Sequence, residues 1–294
     1  MEFKPLNEVR CETGEGPTWD DRGQALFQVD IPARTIYRFD AASGATQKWV
    51  FPSEVGSIGL AESGRLVVAV RHTVGLFDTV DGKWTELAQI EPERVRTTRT
   101  NDGKVGPDGA FWVGTMDDRD DVPKEPIAAL YRVTADGKVE KKVEGLLISN
   151  GLAWSPDGKS MFHTDARPGW IDRWDFDPAT GAISNRTRLV TMKNEDGRPD
   201  GGATDAEGNY WSAGVSAARL NKFAPDGKLL DFYPLPVASP TMPCFGGPDL
   251  RTLYVTSLRN GRPAELLAKY PLTGITIVAA APVAGARVSR FRDR

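Results

Sequence analysis

The hydrophobic pattern of this chain is a series of short apolar segments, each placed directly after a tight turn. The six turns lie 41 to 50 residues apart, at Gly23, Gly64, Gly109, Gly158, Gly208 and Leu250. Each leads into a β-type segment such as Leu66-Val67-Val68 or Phe111-Trp112-Val113. A hairpin needs a second strand before its turn. The pattern therefore predicts antiparallel hairpins that recur with one long period.

A second element follows in every unit, an aromatic segment that leads to another turn. Examples are residues 36–39 before Gly44 and, in the last unit, residues 267–270 before Gly274. Four strands in 40 to 50 residues, repeated six times, predict an all-β fold, a six-bladed β-propeller with four antiparallel strands per blade. We expect residues 1–294 to form this single domain. An all-β sandwich is the alternative, but it does not explain one period repeated six times.

Composition and charge narrow the class of protein. The chain has 294 residues, 40% apolar and 26% charged, as in ordinary soluble globular proteins. Its net charge of −3 gives no reason to expect a nucleic-acid or membrane partner. Cys11 and Cys244 are the only cysteines, which is no disulfide framework. With no signal-peptide core at the start, we expect a cytoplasmic protein that is a monomer or a weak homo-oligomer.

Candidate chemistry lies at one register of the repeat. Four oxygen-bearing residues stand eight positions before a turn glycine, namely Glu15, Asn101, Asn150 and Asp200. The first strand of each propeller blade lines the central channel, so these side chains are expected to converge there. Two carboxylates and two amide oxygens suit a hard divalent cation such as Ca²⁺, Mg²⁺ or Mn²⁺. The matching residues of the other blades, Gly56 and Met242, offer no oxygen and predict an opening on one side.

The alternative is that these are ordinary turn residues. Pro-Asp-Gly does occur as a turn at 107–109, 156–158 and 225–227. Asp200, however, stands in a Pro-Asp-Gly that precedes a turn by eight residues, so it is not simply another turn aspartate. The shared register favours a metal site.

Six motifs, spread over all units but the second, carry a family resemblance. They are Gly14-Glu15-Gly16-Pro17, Arg99-Thr100-Asn101-Asp102-Gly103-Lys104, Gly114-Thr115-Met116, Ser149-Asn150-Gly151-Leu152-Ala153-Trp154, Pro199-Asp200-Gly201 and Cys244-Phe245-Gly246-Gly247-Pro248-Asp249. On these motifs the chain resembles the senescence-marker-protein/gluconolactonase/regucalcin family of six-bladed propellers. Bacterial sugar lactonases, including xylonolactonase-like members, are the most similar.

The resemblance implies one divalent metal ion (Ca, Mg, Mn, Zn or Fe) on oxygen ligands. Glu15, Asn150 and Asp200 would hold it, with Asn101 close by or coordinated. The implied reaction is hydrolysis of a sugar (aldono-) lactone, with the ion as Lewis acid and Asp200 as the catalytic residue that activates water. A hydroxide on the ion is an equally open route.

The resemblance also implies substrate contacts. Arg99 matches the family's substrate-binding arginine, and Asn101 faces the same ligand. A position that is glutamate in regucalcin-like members, where it contacts sugar hydroxyls, falls on Arg119. Asp117 and Asp118 are the neighbouring candidates for that role. The sugar preference of regucalcin-like members is therefore not expected to apply to this chain.

Two other functions remain open at this point. One is a calcium-dependent phosphotriesterase-like hydrolase, because related six-bladed propellers use a similar oxygen cage. The other is a non-catalytic calcium-binding propeller. A Ser-His-Asp hydrolase is disfavoured, since His72 and His163 are the only histidines and no serine nucleophile motif accompanies them.

Overall fold

Six four-stranded antiparallel sheets, arranged in a ring, make up the protein. The computed structural model describes residues 1–294. The predicted six-bladed β-propeller with four strands per blade is confirmed. Neighbouring innermost strands contact each other around the whole ring and enclose a central channel. Neither helix of the structure is long and apolar enough to cross a bilayer.

The chain enters on β1 (Lys4–Arg10) and then builds five blades from the innermost strand outwards. Blade one is β2 (Gly14–Asp20), β3 (Ala25–Asp30), β4 (Thr35–Asp40) and β5 (Thr46–Val50). Blade two is β6 (Val55–Leu60), β7 (Leu66–Val70), β8 (Thr73–Phe77) and β9 (Trp84–Gln89). A short 3-10 helix (Pro92–Arg94) leads to blade three.

The next three blades repeat the same order. Blade three is β10 (Thr98–Val105), β11 (Phe111–Asp117), β12 (Ala128–Val133) and β13 (Val139–Leu146). Blade four is β14 (Ser149–Trp154), β15 (Ser160–Asp165), β16 (Trp170–Asp177) and β17 (Ala182–Thr191). Blade five is β18 (Pro199–Thr204), β19 (Tyr210–Gly214), β20 (Arg219–Phe223) and β21 (Leu229–Pro234).

Blade six joins the two ends of the chain. Its inner strands are β22 (Pro240–Gly246), β23 (Thr252–Ser257) and β24 (Ile275–Ala280). The fourth place is taken by β1, which pairs antiparallel with β24 and sets Pro5 opposite Ile277. Hydrogen bonds between the first and last strands therefore close the ring.

The strand predicted at residues 267–270 is wrong. Those residues belong to helix α1 (Ala264–Lys269) and its C-terminal end, and the third strand of blade six begins only at Ile275. The segment Ala-Glu-Leu-Leu-Ala-Lys consists of strong helix formers. Glu265 in the first turn and Lys269 in the last also complement the helix dipole. Local helix preference prevailed over the register of the repeat.

Every innermost strand carries an irregularity of pairing near the predicted site register. Pairing shifts between Glu15/Thr18, Val55/Ser57, Thr100/Gly103, Asn150/Ala153, Pro199/Gly202 and Pro240/Pro243. Gly16 and Gly151 take the left-handed φ values, 53° and 66°, that such kinks favour. A β-bulge re-aims side chains that regular alternation would place elsewhere. The bulges therefore explain why one register supplies the channel-facing residues.

The hydrophobic core lies between the blades. Trp112 of β11 packs against Trp154 and Phe176 of blade four. Trp211 of β19 packs edge-on against Phe245 of blade six. Packing of sheet against sheet fixes the ring, so the channel is free to hold polar residues.

The C-terminal tail, residues 281–294, covers the end of the channel opposite to the bulges. Backbone N–H groups of the tail donate to carbonyl oxygens of blades six, five, two and three, at Leu250, Thr204, Leu60 and Gly109. Residues 286–289 also line a cavity of about 200 Å³ at this end, beside Lys104 and Cys244. We infer that ligands enter from the bulge end.

Replacing Phe291 by alanine is expected to lower the free energy of unfolding by about 3–5 kcal/mol. The side chain is fully buried in the core of blades two and three, and its backbone is bonded to Leu60 and Glu62, so the cavity cannot easily collapse. Urea denaturation measures the loss. Val288→Ala, an exposed position in the same tail, is the control and should change stability by less than about 0.5 kcal/mol. Equal stability of the two variants would show that Phe291 does not anchor the tail.

Candidate functional site

Three of the four oxygen-bearing residues form a hydrogen-bonded chain across the channel. Asn101 Nδ2 lies 3.3 Å from Asn150 Oδ1, and Asn150 Nδ2 lies 2.5 Å from Asp200 Oδ1. They stand on β10, β14 and β18 of consecutive blades. Glu15 on β2 is buried in the same channel, where its carboxylate accepts the Gly16 N–H at 3.0 Å. The structure thus brings the four residues to one depth on the axis.

The channel concentrates negative charge. Burial, together with the charges of Asp200 and Asp102, raises the pKa of Glu15 well above its usual value. Burial and Asp102 also raise the pKa of Asp200 to about 7, while Arg198 and Arg262 oppose this shift. Two ionised carboxylates this close repel each other, and a cation bound between them stabilises both in the ionised form.

The residues present fit a divalent ion. Asp102 is buried, and its Oδ2 accepts the Leu152 N–H at 3.2 Å while its Oδ1 has no partner. An unpaired carboxylate oxygen in the interior is costly unless positive charge is near. No three His, Cys, Asp or Glu side chains come close enough to hold an ion by themselves. The amides of Asn101 and Asn150 are therefore needed to complete the ligand set.

The amide of Asn101 is held in place from blade four. Its Nδ2 also donates to the Ser149 carbonyl oxygen at 3.0 Å, and the Ser149 hydroxyl pairs with His163 Nε2 at 2.9 Å. Burial lowers the pKa of His163 to about 4, so the ring is neutral near pH 7. His163 supports the site from the core without entering it.

Lys104 of β10 separates the site from the lower cavity. Its Nζ donates to the Gly202 carbonyl oxygen at 2.8 Å, and it lines the cavity beneath. Burial lowers the pKa of Lys104, and the charge of Asp102 opposes part of this shift. Lys104 therefore offsets part of the negative charge from below.

Arg99 lies on β10 and reaches towards the site. Its Nη1 donates to Asn101 Oδ1 at 3.2 Å and to the Thr100 carbonyl oxygen at 3.0 Å. Its Nε donates to Asp118 at 3.0 Å, and Asp118 also pairs with Arg71 at 3.3 Å. The Nη2 group makes no hydrogen bond within the protein, which leaves one oriented donor for a ligand.

Asp117 and Arg119 pair with each other. Arg119 Nη2 lies 2.7 Å from Asp117 Oδ2, and the same oxygen accepts the Glu125 N–H. Asp117 is fully buried, and Arg119 holds its pKa well below the usual value. Asp30 and Asp165 end β3 and β15 as Asp117 ends β11, and they too accept loop N–H groups. Asp117 thus pairs with Arg119 and the loop within the protein, and the contact of these two residues with a sugar stays a prediction.

The opening expected beside Gly56 and Met242 is not present at the depth of the site. A Cβ on Gly56 would lie 2.7 Å from the Thr100 carbonyl oxygen, so the backbone of β10 already fills this gap. Met242 is buried. Free space lies above the ring instead, in a cavity of about 500 Å³ over blades five and six that includes Arg198 and Arg262.

Four charged neighbours of the site were absent from the predicted set. They are Asp102, Lys104, Arg198 and Arg262. The first two lie in the same motif as Asn101, but only the structure shows that Asp102 is buried and Lys104 half-buried beside the site. Arg198 precedes Asp200 by two residues, and this closeness in sequence is the one weak indication that it lies near the site. Arg262 comes from the irregular segment before α1, where the repeat gives no register.

The chain is similar in sequence and in fold to known proteins. The family model described as SMP-30/Gluconolactonase/LRE-like region matches residues 13–259. A Pseudomonas putida protein named 6-deoxy-6-sulfogluconolactonase is 37% identical over 273 residues, 92% of each chain. Regucalcin from Gallus gallus is 35% identical over 277 residues, 93% of this chain and 92% of that one. The structure of a calcium-binding protein, regucalcin, from Agrobacterium tumefaciens superposes with a TM-score of 0.92 at 27% identity, covering 99% and 97% of the two chains.

Proposed function

The chain belongs to the SMP-30/gluconolactonase/LRE-like family, and from this premise we propose that it is a metal-dependent sugar lactonase that converts an aldonolactone to the aldonic acid. The resemblance predicted from the motifs is confirmed by the family match. Membership of a gluconolactonase-like family supports sugar lactone hydrolysis, as does a relative named 6-deoxy-6-sulfogluconolactonase. The observation that carries the proposal is the convergence of Glu15, Asn101, Asn150 and Asp200 on one axis.

One divalent ion would be held by Glu15, Asn150 and Asp200, with Asn101 at the edge of the set. When bound, it supplies polarisation of the ester carbonyl and a lowered pKa for the attacking water. Carboxylate and amide oxygens favour Ca²⁺, Mg²⁺ or Mn²⁺ over ions that prefer thiolates. The similar bacterial structure is named a calcium-binding protein, which supports a divalent ion as cofactor.

Asp200 takes the proton of the attacking water. Its Oδ1 is fixed by the Asn150 amide at 2.5 Å, while Oδ2 makes no hydrogen bond within the protein. The water oxygen bonds to the ester carbon, and the bond from that carbon to the ring oxygen breaks. The proton passes from Asp200 to the ring oxygen, which becomes a hydroxyl group, and the new carboxylic acid releases the second proton of the water to solvent and becomes a carboxylate.

Arg99 binds the substrate beside Asn101. Negative charge develops on the carbonyl oxygen as water adds, and the free Nη2 of Arg99 can donate to it. Asp118 and the Thr100 carbonyl oxygen already hold the guanidinium. The Arg99 side chain therefore needs little reorganisation when water adds to the carbonyl carbon.

A pH-indicator hydrolysis assay tests the proposed function. The protein is stripped with a chelator, reloaded with Ca²⁺, Mg²⁺, Mn²⁺, Zn²⁺ or Fe²⁺, and offered pentono- and hexonolactones beside an organophosphate triester. We expect lactone turnover that is lost on stripping and returns with an ion. Turnover of the triester alone would favour a phosphotriesterase-like hydrolase. Metal binding without any turnover would favour a calcium-binding propeller, and full lactone turnover with metal verified absent would contradict metal dependence.

A further inference from the structure

The cavity of about 500 Å³ over blades five and six is basic. It is lined by Arg198, Arg262 and Lys269, and no aspartate or glutamate lines it. Its volume is that of an ordinary small-molecule site. It lies on the face of the ring from which the channel site is reached. Arg198, which lines it, stands two residues before Asp200 and so links the cavity to the channel site.

The two arginines in this cavity make no direct salt bridge, and the acidic group that acts on them from a distance is Asp200. The Nε atoms of Arg198 and Arg262 are buried without a hydrogen bond, and neither guanidinium takes part in a salt bridge. By contrast, Arg99 is bound by Asp118 and Arg119 by Asp117. Buried donors are normally satisfied, and these two are among the buried side-chain atoms of the protein that have no partner.

The positive charges also act on one another. Arg198, Arg262 and Lys269 line one cavity, and no acidic side chain of the lining lies between them. The backbone of Arg198 is fixed by hydrogen bonds to Ser216 and Val215, so its side chain remains beside the others. Three cationic side chains in one cavity whose lining contains no acidic side chain favour a bound anion.

We propose that this cavity binds an anionic group, a sulfonate or a phosphate ester, on the carbon of the sugar lactone farthest from the ring ester. This deepens the proposed function and rests on it. Blade three, which carries Arg99, lies across the ring from blade six, which carries Arg262. One end of the substrate then lies against Arg99 and Asp200, and its anionic end lies against Arg198 and Arg262. Guanidinium groups pair with such oxyanions through two parallel hydrogen bonds.

Hydrolysis rates for three lactones test the proposal. They are D-glucono-1,5-lactone, its 6-phosphate and its 6-deoxy-6-sulfo analogue, each measured with the metal-loaded protein. We expect kcat/KM to be about ten- to hundredfold higher for at least one charged lactone than for the neutral one. Arg262→Gln and Arg198→Gln should each reduce this ratio by about tenfold. Arg259→Gln, three residues before Arg262 and outside the cavity lining, should leave the ratio unchanged. The phosphate and sulfonate arms identify which anion is preferred.

Two results would overturn the proposal. One is a wild-type protein that treats charged and neutral lactones alike, and the other is an equal fall for both in the arginine variants. If no lactone is hydrolysed at all, the proposed function fails instead. Calorimetric binding of glucose 6-phosphate against glucose then decides on the cavity alone. Tighter binding of the phosphate that Arg262→Gln abolishes supports the anion site, and equal binding rejects it.

Discussion

Asp200→Ala is expected to reduce lactone turnover by at least about 10³-fold, because the change removes both a ligand of the ion and the group that receives the water proton. The propeller should still fold, since Asp200 is half-buried at a bulge and takes no part in the interblade core. Steady-state kinetics with saturating ion and circular dichroism measure the two effects. Substantial residual activity in a folded variant would remove Asp200 from the mechanism.

Asp226→Ala is the matched control for this change. Asp226 stands in the second Pro-Asp-Gly of the same blade, but it is exposed in a turn where it accepts only the Lys228 N–H. Its loss should leave turnover at the wild-type level. Asp200→Asn adds a second comparison, because an amide oxygen can still bind the ion but cannot accept the proton. If Asp200 is the base, Asp200→Asn stays inactive at any ion concentration, whereas recovery at high ion would limit Asp200 to a ligand role.

The repeat made most of the fold predictable from sequence. One period of turns and aromatic segments, seen six times, was enough to predict the number of blades and strands. The same period located Glu15, Asn101, Asn150 and Asp200, because a bulge recurs in each innermost strand near one distance from the turn. Repetition converts a weak local signal into a reliable one.

Features that break the repeat were not predictable in the same way. Helix α1 replaced an expected strand because local propensity acts on six residues without regard to the blade. The sequence makes Asp117 a candidate sugar contact, and only the structure shows it buried against Arg119. Arg262 reaches the cavity from the same irregular segment as α1. The residues that we propose for substrate selection therefore lie where the sequence is least regular.

Glu15→Gln is expected to make the protein more stable than wild type without metal and less stable than wild type with metal. Without an ion, the Glu15 carboxylate is buried close to Asp200 and Asp102, and a glutamine of the same shape removes this repulsion while it can still accept the Gly16 N–H. The metal-free variant should therefore unfold at a higher temperature than the metal-free wild type. With ion at 100 times its Kd, the wild type gains about 2.7 kcal/mol.

The variant should gain almost none of this stabilisation, because it lacks one charged ligand. Scanning calorimetry with increasing ion measures both effects at a fixed pH, and Glu12→Gln, exposed on the same segment, should behave as the wild type. An ion-dependent rise in unfolding temperature that is equal in Glu15→Gln and wild type would exclude Glu15 from the ligand set. The stronger criterion is that the unfolding temperatures of variant and wild type, plotted against ion concentration, cross. A substitution that only disrupts packing would make the variant less stable both with and without ion.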